Sequence, residues 1–496
     1  MSAFTSGRML HPLVRQARQA LAGGDPLTAA LCCSQRLKEE RRDANARMTL
    51  ADAQLISGET DQAIANMDQV ARELPREPMV RIKLGHMLFR EGKYRETLGA
   101  ADAALKLKPD LVPAMALKAS VFERQNKYDK AIAVLGDQLT SANVHGDAGL
   151  PAMRILNHEG RYDEAIAFAA RFAAANPKAL RALRDVRFEL ARAHERSGDL
   201  DAAFAAATEA NATASVPFNR EREQTRFDDL RAATSEAAMA ALPRAISAEE
   251  AAAADPIIFI VGMPRTGSTL TERILHAHPD ASGMGEDPSV HRIAYRLHEY
   301  VDATVPYPEC LASLTPEAAR AARADLLDAM HRVTAKSRVM VCKSLGNALH
   351  LGLIEVLLPE ARIVHARRNP VDTCLSCWME PLGTAGTGYA GDLEDAAWYH
   401  GRLDAMVAHA RSVMTLPFME LQYEDLVADI RGTTERLLEF CGLPWNDACL
   451  EFHTLRRVER TLSFDQVRQP LHAGSVGRAD RFGSKLDGLR AALAAD

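Results

Sequence analysis

A chain of 496 residues, 47% hydrophobic and 25% charged, has room for roughly two to four domains and the balance of an ordinary globular protein. Sixty lysines and arginines against 66 acidic residues leave a net charge of −6, so no polyanion-binding signature is present and nucleic acid is not an expected partner. Eight cysteines are too sparse for a disulfide framework, and no apolar run is long enough to span a bilayer, which points to a reduced cytoplasmic setting. The opening residues MSAFTSGRMLHPLVRQ also lack the apolar core of a signal peptide.

The first half repeats itself. SGETDQAIANMDQV, EGKYRETLGAADAA, QNKYDKAIAVLGDQ and EGRYDEAIAFAARF place Thr60, Tyr94, Tyr128 and Tyr162 in register, each 34 residues from the last. A small residue follows three positions later at Ala63, Thr97, Ala131 and Ala165, and Pro75, Pro109 and Pro177 close units on the same grid. A fifth, slightly longer unit, SGDLDAAFAAATEA, has Leu200 in the tyrosine position. Small residues let paired helices approach, and proline ends the second helix of each pair. Over roughly residues 45–215 this resembles the tetratricopeptide repeat, and GGDPLTAALCCSQRL (23–37) looks like a degenerate first unit. The resemblance implies an all-α solenoid whose concave surface recruits a peptide or protein, or which serves packing and assembly.

After Pro217 the periodicity stops, and the charged, alanine-rich residues 220–254 read as a helical linker between a solenoid over 1–219 and a second domain over 255–496. From Pro256 short β-branched runs alternate with helical patterns. Strands are expected at 257–262, 337–343, 361–368 and within 415–426. Helices are expected at 267–277, 315–334, 347–358, 371–379, 392–412 and 425–441. This alternation predicts a three-layer α/β domain with a parallel sheet, and chemistry in the loops that leave the strands.

The first such loop is IIFIVGMPRTGSTLTERIL (257–275). Its Gly262-x4-Gly267 spacing is that of a phosphate loop, but Ser268 stands where the phosphate-gripping lysine belongs and Arg265 lies inside the loop. Backbone N–H groups of Gly262, Gly267, Ser268 and Thr269 at a helix start would form an anion site, with Arg265 as a fixed cation. Without the lysine or a nearby magnesium-binding aspartate, the site suits a compact 5′-phosphate-linked group better than a magnesium triphosphate. A kinase or NTPase with a degenerate loop is therefore disfavoured. Cys374 and Cys377 form a C-x-x-C with no second ligand pair at zinc spacing, and read as reduced thiols.

PRTGSTLTERILHAHPDASGMGED resembles the 5′-phosphosulfate loop of sulfotransferases that use 3′-phosphoadenosine-5′-phosphosulfate (PAPS). It is most similar to tyrosylprotein sulfotransferases and to bacterial proteins that fuse tetratricopeptide repeats to that P-loop-like domain; the resemblance runs from about residue 256 to 485. ARRNPVDTCLSCW supplies the family's second motif, Arg368 with Ser376 eight residues on, which the resemblance assigns to the 3′-phosphate. It assigns donor contacts to Arg265, Thr266, Gly267, Ser268 and Thr269 as well. Glu286, 21 residues after Arg265, matches the family's catalytic base, with Asp287, His276, His278 and His291 as rivals. Lys343 matches a strand-end lysine that, with Arg265, offsets charge on the leaving phosphate. Tyr423 in LQYEDL falls near the adenosine, and Ser463 and Arg478 in LSFDQVRQPLHAGSVGR align with phosphosulfate and phosphate contacts.

Two positions depart from the family: Glu380 and Pro288 stand where the animal enzymes carry arginine, while Arg292 keeps the next basic position. The resemblance implies a PAPS-dependent sulfotransferase that needs no metal and acts on a hydroxyl or phenol acceptor. Protein tyrosine, carbohydrate, lipid and small phenols all stay open. The alternative is a tetratricopeptide scaffold carrying a catalytically silent sulfotransferase-like domain.

Overall fold

The computed structural model describes residues 10–22, 25–213, 216–334, 337–383, 386–455 and 473–495. The chain divides into two compact units, Met1–Ala206 and Ala207–Asp496. Among the described residues no helix is long and apolar enough to cross a membrane.

The first unit is built of antiparallel helix pairs: α1 (Pro12–Ala22) with α2 (Pro26–Glu39), α3 (Ala44–Ile56) with α4 (Thr60–Glu73), and α5 (Pro78–Arg90) with α6 (Tyr94–Leu107). They continue with α7 (Val112–Arg124) and α8 (Tyr128–Leu135), α9 (Gly149–His158) and α10 (Tyr162–Ala175), and α11 (Leu180–Ser197) and α12 (Leu200–Ala212), within which the division between the units falls. Each in-register residue, from Thr60 to Leu200, is the first residue of the second helix of its pair. Two positions earlier the chain turns through positive φ at Gly58, Gly92, Asn126, Gly160 and Gly198. Glycine is free to adopt that conformation, and asparagine is the side chain that best tolerates it. The small residues Ala63, Thr97, Ala131, Ala165 and Ala203 are fully buried between helices. One unit departs from the regular pattern. Helix α8 stops at Gly136 (φ 50°), and short 3₁₀ turns at 136–139 and 146–148 lead into α9.

A buried ion network fastens three of these helices. Arg154 of α9 lies 3.6 Å from Glu123 of α7 and 3.3 Å from Glu189 of α11, and Asn157 Nδ2 donates to Glu189 at 3.0 Å. Burial alone would raise the Glu189 carboxyl, but Arg192, Arg154 and the Asn157 donor outweigh it and hold it below the usual glutamate value.

The second unit opens with α13 (Arg220–Ala233), α14 (Glu236–Ala241) and α15 (Ala248–Ala253). Phe227, Leu230, Met239 and Ala245 from this stretch join the core of the second unit. The α/β part follows as β1 (Ile257–Val261), α16 (Ser268–His276), β2 (Ala281–Gly285), α17 (Ser289–Tyr300), α18 (Pro316–Val333), β3 (Val339–Cys342) and α19 (Leu351–Leu357). It ends with β4 (Ala361–Arg367), α20 (Pro370–Trp378), α21 (Leu393–Val413), β5 (Phe418–Gln422), α22 (Tyr423–Ala428), α23 (Ile430–Phe440) and α24 (Asp487–Ala495). The strands form one parallel sheet in the order β2-β3-β1-β4-β5.

Every residue of β1 is buried, and alternate side chains serve opposite faces. Ile257, Phe259 and Val261 pack with α13, α18, α19 and α21; Ile258 and Ile260 pack with α16, α22 and α23. The sheet is thus the middle of three layers, as the alternating pattern predicts.

Two elements of this unit go beyond the sequence reading. Strand β2, ASGMG, has no β-branched or aromatic residue, so propensity gives no sign of it. Helix α17 carries Val290, Ile293, Ala294 and Leu297 at helical spacing, all buried, and was legible on periodicity. The helix expected over 425–441 is broken at Asp429, whose backbone leaves the helical region and whose carboxylate caps the Gly432 N–H at 2.9 Å.

The Arg154 network gives a stability test. Arg154→Met leaves two buried carboxylates without their shared cation and should cost about 3 kcal/mol. A lower urea midpoint for loss of helical circular dichroism is the expected result, with Arg154→Lys recovering part of it.

Candidate functional site

The connection after β1 runs towards β2 and β3, whereas the one after β4 runs towards β5. The carboxyl ends of the adjacent strands β1 and β4 therefore form the switch point where α/β sheets bind ligands. The loop 262–267 leaves β1 there. A Cβ at Gly262 (φ 134°) would lie 2.5 Å from the carbonyl oxygen of Ala366, so only glycine lets the loop cross β4 this closely. Gly267 (φ 86°) begins α16 without a side-chain cap, and the N–H end of a helix is where an anion is favoured. A Cβ there would meet Tyr423 at 2.6 Å, so this glycine also makes room for the tyrosine after β5. Thr266, Ser268 and Thr269 are buried, and the Thr266 hydroxyl donates to the Met263 carbonyl at 2.8 Å.

Arg265 holds φ at 70°, an unusual conformation for an arginine. Its carbonyl accepts from Arg368 Nη1 at 3.2 Å, its Nε donates to Ser376 Oγ at 3.1 Å, and its Nη2 lies 3.5 Å from Glu380 Oε1. The loop arginine and the second-motif residues therefore form one buried cluster. Glu380, at the position where the family resemblance leads one to expect a cation, neutralises Arg265 instead.

Arg368 follows β4 and is 6% exposed. It lies 3.5 Å from Asp372, donates to the Ser475 carbonyl, and stands 5.3 Å from the centre of the Tyr423 ring. Its Nε is buried with no partner among the described residues. Asp372 also accepts from the N–H groups of Gly477 at 2.8 Å and Ala479 at 2.7 Å, tying the tail to α20. Arg478 between them reaches Met379 Sδ at 3.1 Å. Ser463 lies outside the described residues.

Glu286 follows β2 and Lys343 follows β3. Lys343 Nζ donates to Glu286 Oε1 at 2.6 Å; the lysine side chain is 1% exposed and the glutamate 58%. Each of the other candidate bases has a structural engagement. Asp287 caps the Ser289 N–H at 2.9 Å, and His276 Nδ1 accepts from Gly283 at 3.0 Å. His278 accepts from Asp280 through Nδ1 and donates to the Pro444 carbonyl through Nε2, so one neutral tautomer satisfies both contacts. His291 Nδ1 pairs with His350 Nε2 at 3.3 Å, joining α17 to the 3₁₀ turn 345–350 after Lys343. Tyr307 packs against the His350 ring.

Cys374 and Cys377 are both buried, and burial pushes their thiols up, Cys377 to about 12 despite Arg265 and Arg368 nearby. Cys377 is a protonated thiol that donates to the Pro264 carbonyl at 3.3 Å, a packing contact rather than a redox site.

Residues 256–447, under half of the chain, match the model of the sulfotransferase family. Over 232 residues the chain is 31% identical to an uncharacterized protein of Aquifex aeolicus (strain VF5), covering 45% of this chain and 30% of that one. A protein-tyrosine sulfotransferase of Drosophila melanogaster is 25% identical over 237 residues, covering 45% of this chain and 46% of the relative. The chain thus spans less than half the length of these two relatives. Among solved structures, the sulfotransferase domain of the Synechococcus PCC 7002 olefin synthase is 19% identical with a TM-score of 0.32, covering 49% of this chain and 96% of that domain. At that score the likeness locates no residue.

The histidine pair makes stability depend on pH. Burial, then His291 and Arg226, push His350 down from 6.5 to about 3, and burial lowers His291 as well. The folded protein therefore holds His350 neutral while the unfolded chain takes up a proton below pH 6.5, so stability present above that value is lost as pH falls towards 3. Between pH 6.5 and 5 the loss from His350 should be about 2 kcal/mol. His350→Gln should flatten that part of the profile, measured as urea midpoint against pH.

Proposed function

We propose that residues 255–496 are a sulfotransferase domain that moves a sulfuryl group from PAPS to a hydroxyl or phenol acceptor, protein tyrosine included. The repeats over 1–219 recruit the acceptor or a partner protein, with 220–254 joining the two. The observation that carries the reading is the set of side chains leaving neighbouring strand ends. Lys343 with Glu286, the loop 262–267 with Arg265, and Arg368 leave β3, β1 and β4, three adjacent strands of one parallel sheet.

The residues fit the donor by their chemistry. Thr266, Gly267, Ser268 and Thr269 surround the uncapped start of α16, where backbone N–H groups favour an anion, and Arg265 adds a cation. Together these would hold the 5′-phosphosulfate. Arg368 and Ser376 would hold the 3′-phosphate, and the buried Arg368 Nε is a donor suited to a phosphate oxygen. Tyr423 would border the adenosine and Arg478 a phosphate; Ser463 belongs to the same proposal. Arg265 and Ser376 bond each other here, so they would exchange that contact for donor oxygens.

Transfer breaks the sulfur–oxygen bond to the leaving phosphate and forms one to the acceptor oxygen, whose proton passes to the Glu286 carboxylate. Its exposure leaves Glu286 open to an acceptor, while Lys343 is buried where an electrostatic contact is strong. Lys343 and Arg265 offset the charge that grows on the leaving phosphate oxygen, a scheme that asks for no metal.

Two measurements test this reading. Arg368→Ala should weaken binding of 3′-phosphoadenosine 5′-phosphate about 100-fold by calorimetry, and unchanged affinity would overturn the donor assignment. Glu286→Gln should leave that affinity within about twofold yet lower transfer of radiolabelled sulfate from PAPS into lysate fractions by about 100-fold or more.

A further inference from the structure

The placement of Glu286 depends on a contact made from the opposite side of its strand. β2 is an edge strand of the sheet, so its outward N–H groups have no strand to bond. Two side chains one turn apart on α16 supply the missing acceptors. Glu272 Oε1 accepts from the Gly285 N–H at 2.6 Å, and His276 Nδ1 accepts from the Gly283 N–H at 3.0 Å. Glu272 is 1% exposed, an otherwise costly place for a carboxylate.

Gly285 is a junction. The register between β2 and β3 shifts between Gly283 and Gly285, and Gly285 turns through a φ of 71° just before Glu286. Its carbonyl accepts from the Lys343 N–H at 3.0 Å, and the Lys343 side chain then bonds Glu286. The two peptides that flank Gly285 are thus held from opposite sides, the N–H shared with Met284 by Glu272 and the carbonyl shared with Glu286 by the Lys343 backbone. Helix α16, which carries Glu272, is also the helix that starts at the anion loop.

The geometry points to Glu272 as a positioning residue for the sulfotransfer site. By fixing the Gly285 N–H, it sets where Glu286 stands relative to Lys343 and to the loop that begins α16. Glu272 touches no reacting atom; it acts through Glu286, and the inference rests on the reading of Glu286 as the base. The bond length and the burial make the carboxylate oxygen, rather than side-chain volume, the working feature. A glutamine keeps an acceptor oxygen there and a leucine does not.

The test uses the full chain and the variants Glu272→Leu, Glu272→Gln and Glu286→Gln. Hydrogen exchange by mass spectrometry should show residues 281–288 exchanging about tenfold faster in Glu272→Leu, with residues 257–270 unchanged and Glu272→Gln close to native. Turnover is followed as conversion of PAPS to 3′-phosphoadenosine 5′-phosphate, with 2-naphthol as the added acceptor and water as the default one. Glu272→Leu should lower kcat about tenfold with the KM for PAPS within twofold, and Glu272→Gln should restore it. Native exchange over 281–288 in Glu272→Leu, or a loss confined to KM, would overturn the proposal. Full turnover in Glu286→Gln would instead remove the base assignment, while the exchange result would still report on the Glu272 contact.

Discussion

Two cations buried beside the central strand organise the second unit. Lys343 and Arg368 end β3 and β4, the strands on either side of β1, and both are almost completely removed from water. A buried charge is tolerated only when it is paired and hydrogen-bonded, so each draws partners from distant parts of the chain. Lys343 takes the carboxylate that follows β2. Arg368 takes the carbonyl of the β1 loop, a carboxylate from the first turn of α20 and a carbonyl from the tail. The candidate site is what these satisfactions leave at the carboxyl edge of the sheet.

The same rule governs the repeat unit without producing a site. Glu123 and Glu189 are as buried as the cations of the second unit, Arg154 is 19% exposed, and their partners come from neighbouring helix pairs. In the second unit the buried cations lie instead at the carboxyl ends of adjacent strands. Arg368 keeps a buried Nε without a partner among the described residues, and α16 begins at a glycine that offers no cap. A buried cation and a helix start that meet at a switch point suit an anion, and that placement is what the repeat network lacks.

Local pattern made much of this legible. The 34-residue register located the start of each second helix because a turn residue, a buried small residue and a helix-ending proline recur at fixed offsets. The apolar run at 257–262 became β1, since a strand buried on both faces reads as a continuous β-branched segment, and the shorter Ile363–Val364 pair marked β4. Strand β2 was invisible for the opposite reason. Its residues have no β propensity and it forms because β3 offers a parallel edge while α16 caps its outer N–H groups. The resemblance named Glu286, but nothing in the local sequence ties it to Glu272.

By itself, then, the sequence determined periodicities, turn chemistry and the residue types at strand ends: where helices begin, which runs are buried, and that Arg265, Glu286, Lys343, Arg368 and Ser376 are chemically apt. Tertiary structure alone decided that Arg265 bonds Ser376 and faces Glu380, that Glu286 rests on Lys343, and that Glu272 holds the Gly285 N–H. The division has a physical cause. Propensity and periodicity act over a few residues, whereas a buried charge or an edge-strand N–H is satisfied by whichever group the fold brings within about 3 Å. In this chain Glu272 lies 13 residues from the Gly285 N–H it accepts, and Ser376 lies 111 from Arg265.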